Sequence, residues 1–306
     1  MPEGHTIHRL AEDHLARFGG RPVRVSSPQG KFSDSAALLD GQVMTGVDAH
    51  GKHLFLGFGG ADEPGGTGEP GGTGEPGDAG EPEHTGHTGA AGWGWVHVHL
   101  GLFGKLGFGT DPAPPPTDTV RLRLAGGGHY ADLRGPTTCA LITAPEKQAV
   151  HDRLGPDPLR VRDGAGDGHG EKAWTRISRS RTTVAALLMD QKVIAGVGNV
   201  YRAEVLFRHG IDPYRAGKDL TRREWDAIWA DLVALMREGV RHNRIDTVRP
   251  EHTPEAMGRP PRVDDHGGEV YVYRRARMPC LLCGAEIRTA TLAARNLFWC
   301  PGCQRR

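Results

Sequence analysis

The spacing of apolar residues predicts an amphipathic helix close to the start of the chain. Between positions 5 and 18 the apolar residues recur every three or four positions and so share one helical face: Ile7, Leu10, Ala11, Leu15 and Phe18. Gly19 and Gly20 follow at once, and glycine is a common helix terminator. A single helix is therefore expected to lead into the next segment.

A series of short runs with β-strand character follows this helix. They are bounded by turn-forming residues and cover residues 23–25, 42–47, 53–58, 95–100, 120–124 and 130–133. Several short strands with turn signals between them are typical of all-β structure. We therefore expect the first half of the chain to form an antiparallel β-sandwich or barrel.

An acidic low-complexity segment interrupts these strands. Residues 63–86 form a six-residue repeat that begins as Glu-Pro-Gly-Gly-Thr-Gly, and residues 61–91 contain seven Asp and Glu but no Lys or Arg. Such a composition has little to bury and cannot offset the entropy of ordering. We predict a disordered loop over residues 61–91 that joins two neighbouring strands, and a repeat expansion in a tolerant loop is favoured over a specific binding role.

The second half of the chain has a helical pattern. Apolar residues with helical spacing cover residues 144–154, 173–178, 183–192, 200–209 and 222–241. Residues 258–270 are polar and rich in Gly and Pro, which indicates a linker. The pattern predicts an α+β protein of three domains: a β-sandwich domain over residues 1–143, a helical domain over residues 144–265 and a small module over residues 266–306.

The charge distribution narrows the functional classes. The net charge of +1 over 306 residues conceals an asymmetry, because residues 172–306 carry 24 Lys and Arg against 15 Asp and Glu, whereas residues 1–171 carry 14 against 22. Clustered basic residues favour a phosphate-rich partner. No apolar run reaches membrane-spanning length and no basic start precedes an apolar run, so we expect a soluble, cytoplasmic protein without a membrane partner.

Four cysteines have the spacing of a metal site. They form two Cys-x-x-Cys pairs separated by sixteen residues, Cys280 with Cys283 and Cys300 with Cys303. Four thiolates complete a tetrahedral zinc shell and leave no position for substrate, so we expect one structural Zn²⁺. Between the pairs, residues 287–290 and 296–299 have strand character, which predicts a hairpin whose turn includes Arg295.

The opening residues, Met1-Pro2-Glu3-Gly4, are suited to covalent chemistry. Removal of Met1 would give Pro2 a free secondary amine, and an α-amino group with a pKa of about 8 is partly neutral and nucleophilic near pH 7. Such an amine attacks an aldehyde or an opened sugar to form an iminium ion, and the adjacent Glu3 is placed to move protons. On position alone, a simple signal for methionine removal is favoured.

A second pattern with functional implications lies at residues 190–206. Gly196 and Gly198 separate two helical stretches, and two helices joined by a compact turn can direct a helix N-terminus at phosphate. Asn199 would then both cap the second helix and donate a hydrogen bond. On physical grounds alone, a packing turn between core helices is equally compatible with this sequence.

Together these motifs resemble the formamidopyrimidine-DNA glycosylase and endonuclease VIII family of base-excision repair enzymes. In that family the chain opens with Met-Pro-Glu-Gly, a helix–two-turn–helix motif reads like residues 190–206, and a four-cysteine zinc hairpin ends the chain. The resemblance spans essentially all of the chain outside the repeat loop. It is closest to the actinobacterial endonuclease VIII-like branch, which shares residues 51–55, 154–159 and 298–304.

The resemblance implies a fold and a set of catalytic residues. The fold is a catalytic helix and β-sandwich domain, a helix–two-turn–helix DNA-binding domain and a zinc finger. Pro2 attacks C1′ of the damaged nucleotide and forms the Schiff base, while Glu3 shuttles protons. Lys52 binds phosphate and assists β-elimination, and Arg295 contacts phosphate in δ-elimination. The implied activity is that of a bifunctional DNA glycosylase and abasic-site lyase.

Five further residues are implied in DNA binding by the same resemblance. A base within a duplex is reached by flipping it out, and an apolar side chain fills the vacated stack. Leu102 and Phe103 occupy the family's void-filling position, and Asn199 matches the phosphate-binding asparagine. Arg134 and Arg153 are weaker matches to DNA-binding residues. The implied partner is double-stranded damaged DNA, with no nucleotide cofactor, and we expect a monomer.

Two departures from the family pattern bear on the lesion. Thr6 stands where many members have glutamate, and Gly101 stands where endonuclease VIII has a polar wedge residue. Oxidised pyrimidines are the first expectation because the match is to the endonuclease VIII branch, and oxidised purines are the alternative. A non-catalytic damage-binding protein is the alternative from another class, and the intact catalytic set disfavours it.

Overall fold

The computed structural model describes residues 2–59, 94–161, 168–263 and 268–305. The acidic repeat at residues 61–91, for which we predict a disordered loop, lies outside these described residues. Along the chain a helix with two sheets is followed by a group of helices and then by a two-stranded hairpin. This architecture confirms the predicted α+β fold class with its antiparallel sandwich.

The predicted N-terminal helix is present as α1 (Gly4–Phe18). Ile7, Leu10 and Phe18 are buried in the core beneath the sheets, as the spacing predicts. Leu15 is instead half exposed, because it lies beside the buried stripe rather than on it. The helix ends at Gly19, whose amide donates to the carbonyl of Leu15 at 2.9 Å.

Two four-stranded antiparallel sheets form the sandwich, with strand orders β1-β6-β7-β5 and β2-β3-β4-β8. The strands are β1 (Arg24–Ser26), β2 (Val43–His50), β3 (His53–Gly59), β4 (Gly94–His99), β5 (Lys105–Thr110), β6 (Val120–Gly126), β7 (His129–Arg134) and β8 (Thr138–Ile142). The sequence pattern does not predict β5, β8 or the short helix α2 (Ser33–Leu39). In β5, Gly107 and Gly109 weaken the strand pattern.

Side chains of β3 and β4 alternate between the two faces of their sheet. Leu54 and Leu56 of β3 and Val96 and Val98 of β4 lie in the sandwich core. The intervening residues, which include Phe55 and three histidines, lie on the other face, where Phe55 contacts His151 of the helix α3 (Ala144–Arg153). This outer face connects the sandwich with the helical part of the chain.

The helical part continues from α3 with five more helices, which are α4 (Gly168–Ile177), α5 (Val184–Leu187), α6 (Asn199–Arg208), α7 (Arg222–His242) and α8 (Pro254–Met257). The helix predicted over residues 183–192 is too long, since α5 ends at Leu187. Beyond it the Asp190 carboxylate accepts from the amide of Lys192 at 2.9 Å and stabilises a turn. No helix among the described residues is long and apolar enough to cross a membrane.

The C-terminal hairpin consists of β9 (Arg288–Leu292) and β10 (Arg295–Trp299). Leu292 and Arg295 are paired, so only Ala293 and Ala294 form the turn, both with positive φ. The prediction that Arg295 lies in the turn is therefore wrong by one position. Arg295 is the first residue of β10, where strand pairing holds its backbone.

The segment before this hairpin is held against α6 by one buried carboxylate. Glu204 is fully buried and accepts from the amides of Tyr271, Val272 and Tyr273 at 2.7–2.9 Å, and from the hydroxyl of Thr247 at 2.6 Å. Buried residues of the hairpin belong to the same apolar core as those of the helices. The hairpin is therefore packed onto the helical part rather than attached by a free linker.

Candidate active site

A cavity of about 240 Å³ brings together residues from distant parts of the sequence. Four residues of the predicted site line it: Pro2, Lys52, Leu102 and Arg295. The remaining lining residues are Ile7, His99, Leu100, Gly101, Met189 and Gln191. The structure thus places the predicted nucleophile Pro2, the predicted lysine Lys52 and Arg295 of the C-terminal hairpin around one cavity, which is large enough for a small part of a ligand.

Glu3 lies buried at the N-terminus of α6, directly after the cavity residue Pro2. Its carboxylate accepts from the amide of Val200 at 2.8 Å, that of Gly198 at 3.1 Å and that of Tyr201 at 3.4 Å. These amides have no partner within the helix, and the helix dipole favours an anion there. Burial raises the pKa of Glu3 and outweighs the opposing effects of Lys52 and these amides.

Lys52 follows the glycine at the turn between β2 and β3. Gly51 has a φ of 59°, and its amide donates to Oδ2 of the fully buried Asp157 at 2.7 Å. The same carboxylate accepts from Nε2 of His8 on α1 at 2.9 Å and from the amide of Leu159 at 2.8 Å. Asp157 thereby holds the turn that carries Lys52 against both α1 and the helical part.

The charge of Lys52 is tuned by its surroundings. Burial lowers the pKa of the Lys52 ammonium, the carboxylate of Glu3 raises it and the guanidinium of Arg295 lowers it further. Burial has the largest effect, so the pKa lies below the ordinary value for lysine. A lysine with a lowered pKa beside a glutamate with a raised pKa is an arrangement typical of proton-transfer sites.

Three glycines meet where the sandwich joins the helical part, and we call them the glycine junction: Gly4, Gly51 and Gly196. The amide of Gly4 donates to the carbonyl of Gly196 at 2.8 Å. A Cβ on Gly4 would lie 2.8 Å from Cα of Gly196, and a Cβ on Gly51 would lie 2.9 Å from the backbone nitrogen of Gly196. Only glycine permits this approach, which brings Pro2 and Lys52 together.

Gln191 stabilises the loop that contains Gly196 and also lines the cavity. Its Nε2 donates to the carbonyls of Met189 at 3.1 Å and Val197 at 2.9 Å, and its Oε1 accepts from the amide of Gly196 at 3.0 Å. The side chain is thus committed to the backbone. Sequence reasoning missed Gln191 and Met189, because nothing local indicates that this loop folds onto the N-terminus.

Asn199 connects α6 to the hairpin strand β10. Its Nδ2 donates to the carbonyl of Asn296 at 2.9 Å, and Arg202 donates to both Oδ1 of Asn199 and the same carbonyl. The predicted capping role of Asn199 is wrong, because Gly198 is the N-cap and Asn199 is the first residue inside the helix. The Glu3 carboxylate satisfies the helix amides instead.

The loop after β4 presents the two predicted wedge residues. Leu102 is 52% exposed and Phe103 is 83% exposed, although both are large apolar side chains. Gly101 has a φ of 67°, and the amide of Gly104 donates to the carbonyl of Leu100 at 3.0 Å, which closes the loop. Leu102 lines the cavity and Phe103 does not. Exposed apolar residues at a loop tip beside a cavity are suited to insertion into a partner.

The two predicted arginines lie outside the cavity lining. Arg134 ends β7, where its Nη2 donates to Oδ2 of Asp132 at 2.8 Å and 42% of its side chain remains exposed. Arg153 is the exposed last residue of α3. Its charge is close enough to His53 and His97 to contribute to the lowered pKa of each.

His99, His53 and His97 form a row on the outer face of the sheet, which we call the histidine row. His99 ends β4 and pairs in register with His53, the residue after Lys52. The rings of His53 and His99 lie 4.8 Å apart, and Nδ1 of His53 lies 2.8 Å from Nε2 of His97. Burial lowers the pKa of His53 to about 3 and that of His97 to about 4. Sequence reasoning missed His99, although the alternation of Val96 and Val98 with histidines indicates an outward face.

The four predicted cysteines form one cluster. Their Sγ atoms lie within 4.8 Å of one another, with 3.8 Å between Cys280 and Cys303 and 3.4 Å between Cys283 and Cys300. Ligands at about 2.3 Å from a tetrahedral zinc ion are about 3.8 Å apart. The cluster therefore fits a four-thiolate metal site, and no other such group occurs among the described residues.

Two family models match the chain and define the class of protein. The model of the formamidopyrimidine-DNA glycosylase N-terminal domain matches residues 1–139, and that of the formamidopyrimidine-DNA glycosylase H2TH domain matches residues 154–249. Together they cover well over half of the chain. The chain belongs to the formamidopyrimidine-DNA glycosylase family, and it is a DNA-binding DNA glycosylase of base-excision repair.

Curated relatives support the endonuclease VIII branch of this family. Endonuclease 8 1 of Mycobacterium tuberculosis is 47% identical over 308 residues, which cover 99% of this chain and all of that protein. Formamidopyrimidine-DNA glycosylase of Photorhabdus laumondii is 32% identical over 217 residues, which cover 69% of this chain and 76% of that protein. The resemblance inferred from the sequence motifs is thus confirmed.

Solved structures match the whole fold. Fpg of Lactococcus lactis in complex with DNA containing an abasic site has a TM-score of 0.70 at 19% identity, over 99% of this chain and 100% of that one. MutM in complex with DNA containing carbocyclic 8-oxo-G has a TM-score of 0.70 at 18% identity, over 100% of both chains. At these identities the similarity establishes the fold.

Proposed function

We propose that this DNA glycosylase is bifunctional, removing oxidised bases from double-stranded DNA and cleaving the strand at the resulting abasic site. The observation that carries the proposal is the convergence of Pro2, Lys52 and Arg295 on one cavity beside the buried Glu3. A nucleophile, a proton-transfer group and two phosphate-binding cations are the groups that such a reaction requires.

The first step is base removal by Pro2. Once Met1 is removed, the secondary amine of Pro2 attacks C1′, the bond from C1′ to the base breaks, and the base leaves with the bonding electrons. Opening of the sugar ring then gives an iminium ion between Pro2 and C1′. Glu3 supplies and removes protons in these steps, and its raised pKa brings proton exchange closer to neutral pH.

Strand cleavage follows from the iminium ion, which acidifies C2′. β-Elimination expels the 3′ phosphate and δ-elimination expels the 5′ phosphate, so the product is a gap of one nucleoside bounded by phosphates. Lys52 holds the phosphate that leaves in the first elimination. Arg295 holds the phosphate that leaves in the second, as its position at the start of β10 and on the cavity wall supports.

Five further residues hold the flipped-out substrate in this proposal. Leu102 and Phe103 fill the space left in the stack, where unstacking costs a few kcal/mol that a damaged pair reduces. Asn199, whose Nδ2 donates to the carbonyl of Asn296, binds phosphate in this proposal. Arg134 and Arg153 bind the DNA backbone on either side.

The four-cysteine cluster holds one structural Zn²⁺ in this proposal. When bound, the ion supplies no chemistry to the cavity, since four thiolates fill its coordination shell. Its effect is to hold the hairpin in shape so that Arg295 stays on the cavity wall.

We further propose that the protein acts as a monomer in the cytoplasm, with no nucleotide cofactor. In this proposal it consists of a catalytic sandwich domain (1–143), a helix–two-turn–helix domain (144–265) and a zinc finger (266–306).

Oxidised pyrimidines are the proposed lesions, and the identity to a protein named Endonuclease 8 1 supports this choice. Oxidised purines are the alternative, which the more distant formamidopyrimidine-DNA glycosylase relative represents. A panel of duplexes with one oxidised pyrimidine or one oxidised purine distinguishes the two. Faster excision of the purine lesions under single-turnover conditions would replace the first choice by the second.

Trapping with borohydride tests the covalent mechanism directly. The protein is incubated with abasic-site duplex and sodium borohydride, and the crosslinked peptide is located by mass spectrometry. We expect the crosslink at Pro2. Absence of a crosslink, or a crosslink on a lysine, contradicts the proposed mechanism.

A further inference from the structure

The elimination that cleaves the strand requires an acceptor for the C2′ proton. The iminium ion withdraws electrons from C1′, but the C2′–H bond still has to be broken by a base within reach of the sugar. A group with a free lone pair in the cavity is therefore needed in addition to the nucleophile.

Most polar residues at the cavity are already committed. The nitrogen of Pro2 is bonded to C1′ in the iminium ion, and the guanidinium of Arg295 stays protonated. Lys52 is a cation when it holds the leaving phosphate. The Gln191 amide is bonded to the backbone. Glu3, which serves the proton transfers of base removal, does not line the cavity, and its carboxylate is bonded to three amides.

His99 is the remaining titratable residue in the lining. Strand register places His99 opposite His53, so it lies beside the turn that carries Lys52. The loop that presents Leu102 and Phe103 begins at the next residue. Within the described residues its ring contacts the ring of His53, and neither ring nitrogen has a hydrogen-bond partner. A basic nitrogen without a partner thus lies at the wall of the cavity.

The surroundings of His99 favour the neutral form of its imidazole. Burial lowers the pKa of His99, and the charge of Lys52 lowers it further. Burial also lowers the pKa of His53, whose ring contacts that of His99. With these groups around it, the ring accepts a proton only transiently and then releases it to solvent, as a general base must.

We propose that His99 is a catalytic residue that removes the C2′ proton during β-elimination, an inference that rests on the proposed lyase function. The electrons of the C2′–H bond form a C1′–C2′ double bond, while the electrons of the iminium bond move to the Pro2 nitrogen. The resulting enamine then expels the 3′ phosphate, which leaves with its electron pair. The iminium ion is regenerated in conjugation with a C2′–C3′ double bond, and water releases it.

The substitution His99→Gln separates this role from binding. We expect the variant to be trapped by borohydride on abasic-site duplex as efficiently as the unaltered protein. Its single-turnover rate of strand cleavage should fall by about a hundredfold or more, the range found when a general base is removed. Added imidazole should restore part of the rate, because it can enter the cavity vacated by the ring and accept the proton.

His97→Gln is the matched control, since His97 lies two residues earlier on the same face but does not line the cavity. It should retain both trapping and cleavage. His99→Asn is a second variant in case glutamine disturbs the loop, and thermal unfolding of each variant shows whether the fold is kept.

Three outcomes overturn the proposal. Cleavage that is unaffected in both His99 variants shows that another base acts. A parallel loss of trapping and cleavage, without rescue by imidazole, shows that His99 only binds DNA or supports the loop. Failure of the unaltered protein to form any crosslink at Pro2 refutes the lyase function itself. Trapping of the unaltered protein therefore distinguishes this outcome from the first two outcomes.

Discussion

At the scale of single residues, burial has the largest effect on the pKa values of Glu3 and Lys52. Isolated charges are costly to bury, so Glu3 and Lys52 depend on each other and, for Glu3, on the amides of α6. Burial raises the pKa of Glu3 and lowers that of Lys52, and both changes reduce the difference between them. Groups with closer pKa values exchange protons more readily, which suits a reaction with several proton transfers.

The replacement Pro2→Gly tests the proposed nucleophile. Glycine keeps an N-terminal amine, but a primary amine gives a neutral imine that must be protonated, and the backbone loses the rigidity of the ring. We expect a loss of about a hundredfold in the rate of strand cleavage, comparable to the effect of a small misplacement of a reacting group. Gel analysis of abasic-site duplex measures it, and equal rates in the two proteins would contradict the assignment.

The buried carboxylate of Asp157 should make the stability of the fold depend on pH. Burial opposes its ionisation, but the hydrogen bond from His8, the charge of His8 and the amides of Gly51 and Leu159 outweigh burial and lower its pKa. A lowered folded-state pKa stabilises the fold above the unfolded value of about 3.9, and this stability is lost as the pH falls through the folded value. Asp157→Asn should lower the free energy of unfolding by about 1–3 kcal/mol at pH 7.

The difference in the free energy of unfolding between the unaltered protein and Asp157→Asn should shrink as the pH falls below about 4. Thermal unfolding of both proteins at pH 7, 5 and 3.5 measures this difference. The matched control is Asp118→Asn, which alters an exposed aspartate and should change little at any of these values. A difference that stays constant with pH would show that Asp157 acts by packing rather than by charge.

At the scale of elements, the glycine junction sets how α1, the β2–β3 turn and the loop before α6 meet. Gly51→Ala introduces a Cβ 2.9 Å from both Cβ of Ala195 and the nitrogen of Gly196, at a residue with positive φ. The turn must shift to relieve this contact, and Lys52 shifts with it. We expect strand cleavage to fall about tenfold or more at a temperature where the variant is folded.

Gly41→Ala is the control for backbone strain. Gly41 also has a positive φ, but a Cβ there would meet nothing within 4 Å. Both variants should lose about 1 kcal/mol of stability from the left-handed conformation. Only Gly51→Ala should lose additional activity. Equal activity losses would show that strain, and not the close approach, explains the effect.

The hairpin turn offers a stabilising change. Ala293 and Ala294 have φ values of 49° and 56°, so the two-residue turn has the left-handed geometry for which Asn-Gly is favoured. The double variant A293N/A294G should raise the free energy of unfolding by about 1–2 kcal/mol, because alanine pays a steric cost in this conformation. Denaturant unfolding of the metal-bound protein measures the change, and a lower midpoint would show that the turn is not limiting.

At the scale of the whole molecule, sequence patterns predicted the features that depend on residues close together in the chain. Alternating apolar positions indicated most strands, and the spacing of Cys280 to Cys303 indicated the metal cluster. The helix predicted to continue through Lys192 shows the limit, since hydrogen bonds of the Asp190 and Gln191 side chains to the backbone stabilise a turn and loop there instead. Asn199 was misplaced as a cap because the carboxylate that satisfies the helix comes from Glu3, nearly 200 residues away.

Removal of the metal tests how the whole molecule uses the hairpin. In the proposed zinc site the thiolates hold the two ends of the hairpin together, while Leu297 and Phe298 pack into the core of the helical part. Without the metal the hairpin unfolds, because its two strands are too short to be stable alone. Arg295 then leaves the cavity wall, and Asn199 loses the Asn296 carbonyl.

We therefore expect chelation to weaken DNA binding at least about tenfold, the loss of one or two phosphate contacts. Fluorescence anisotropy with abasic-site duplex at fixed salt measures the affinity before and after treatment. The slope of affinity against salt should also become shallower, because fewer counterions are released. Restored zinc should reverse both changes. An unchanged affinity in protein shown to be metal-free would mean that the sandwich and α6 hold the duplex without the hairpin.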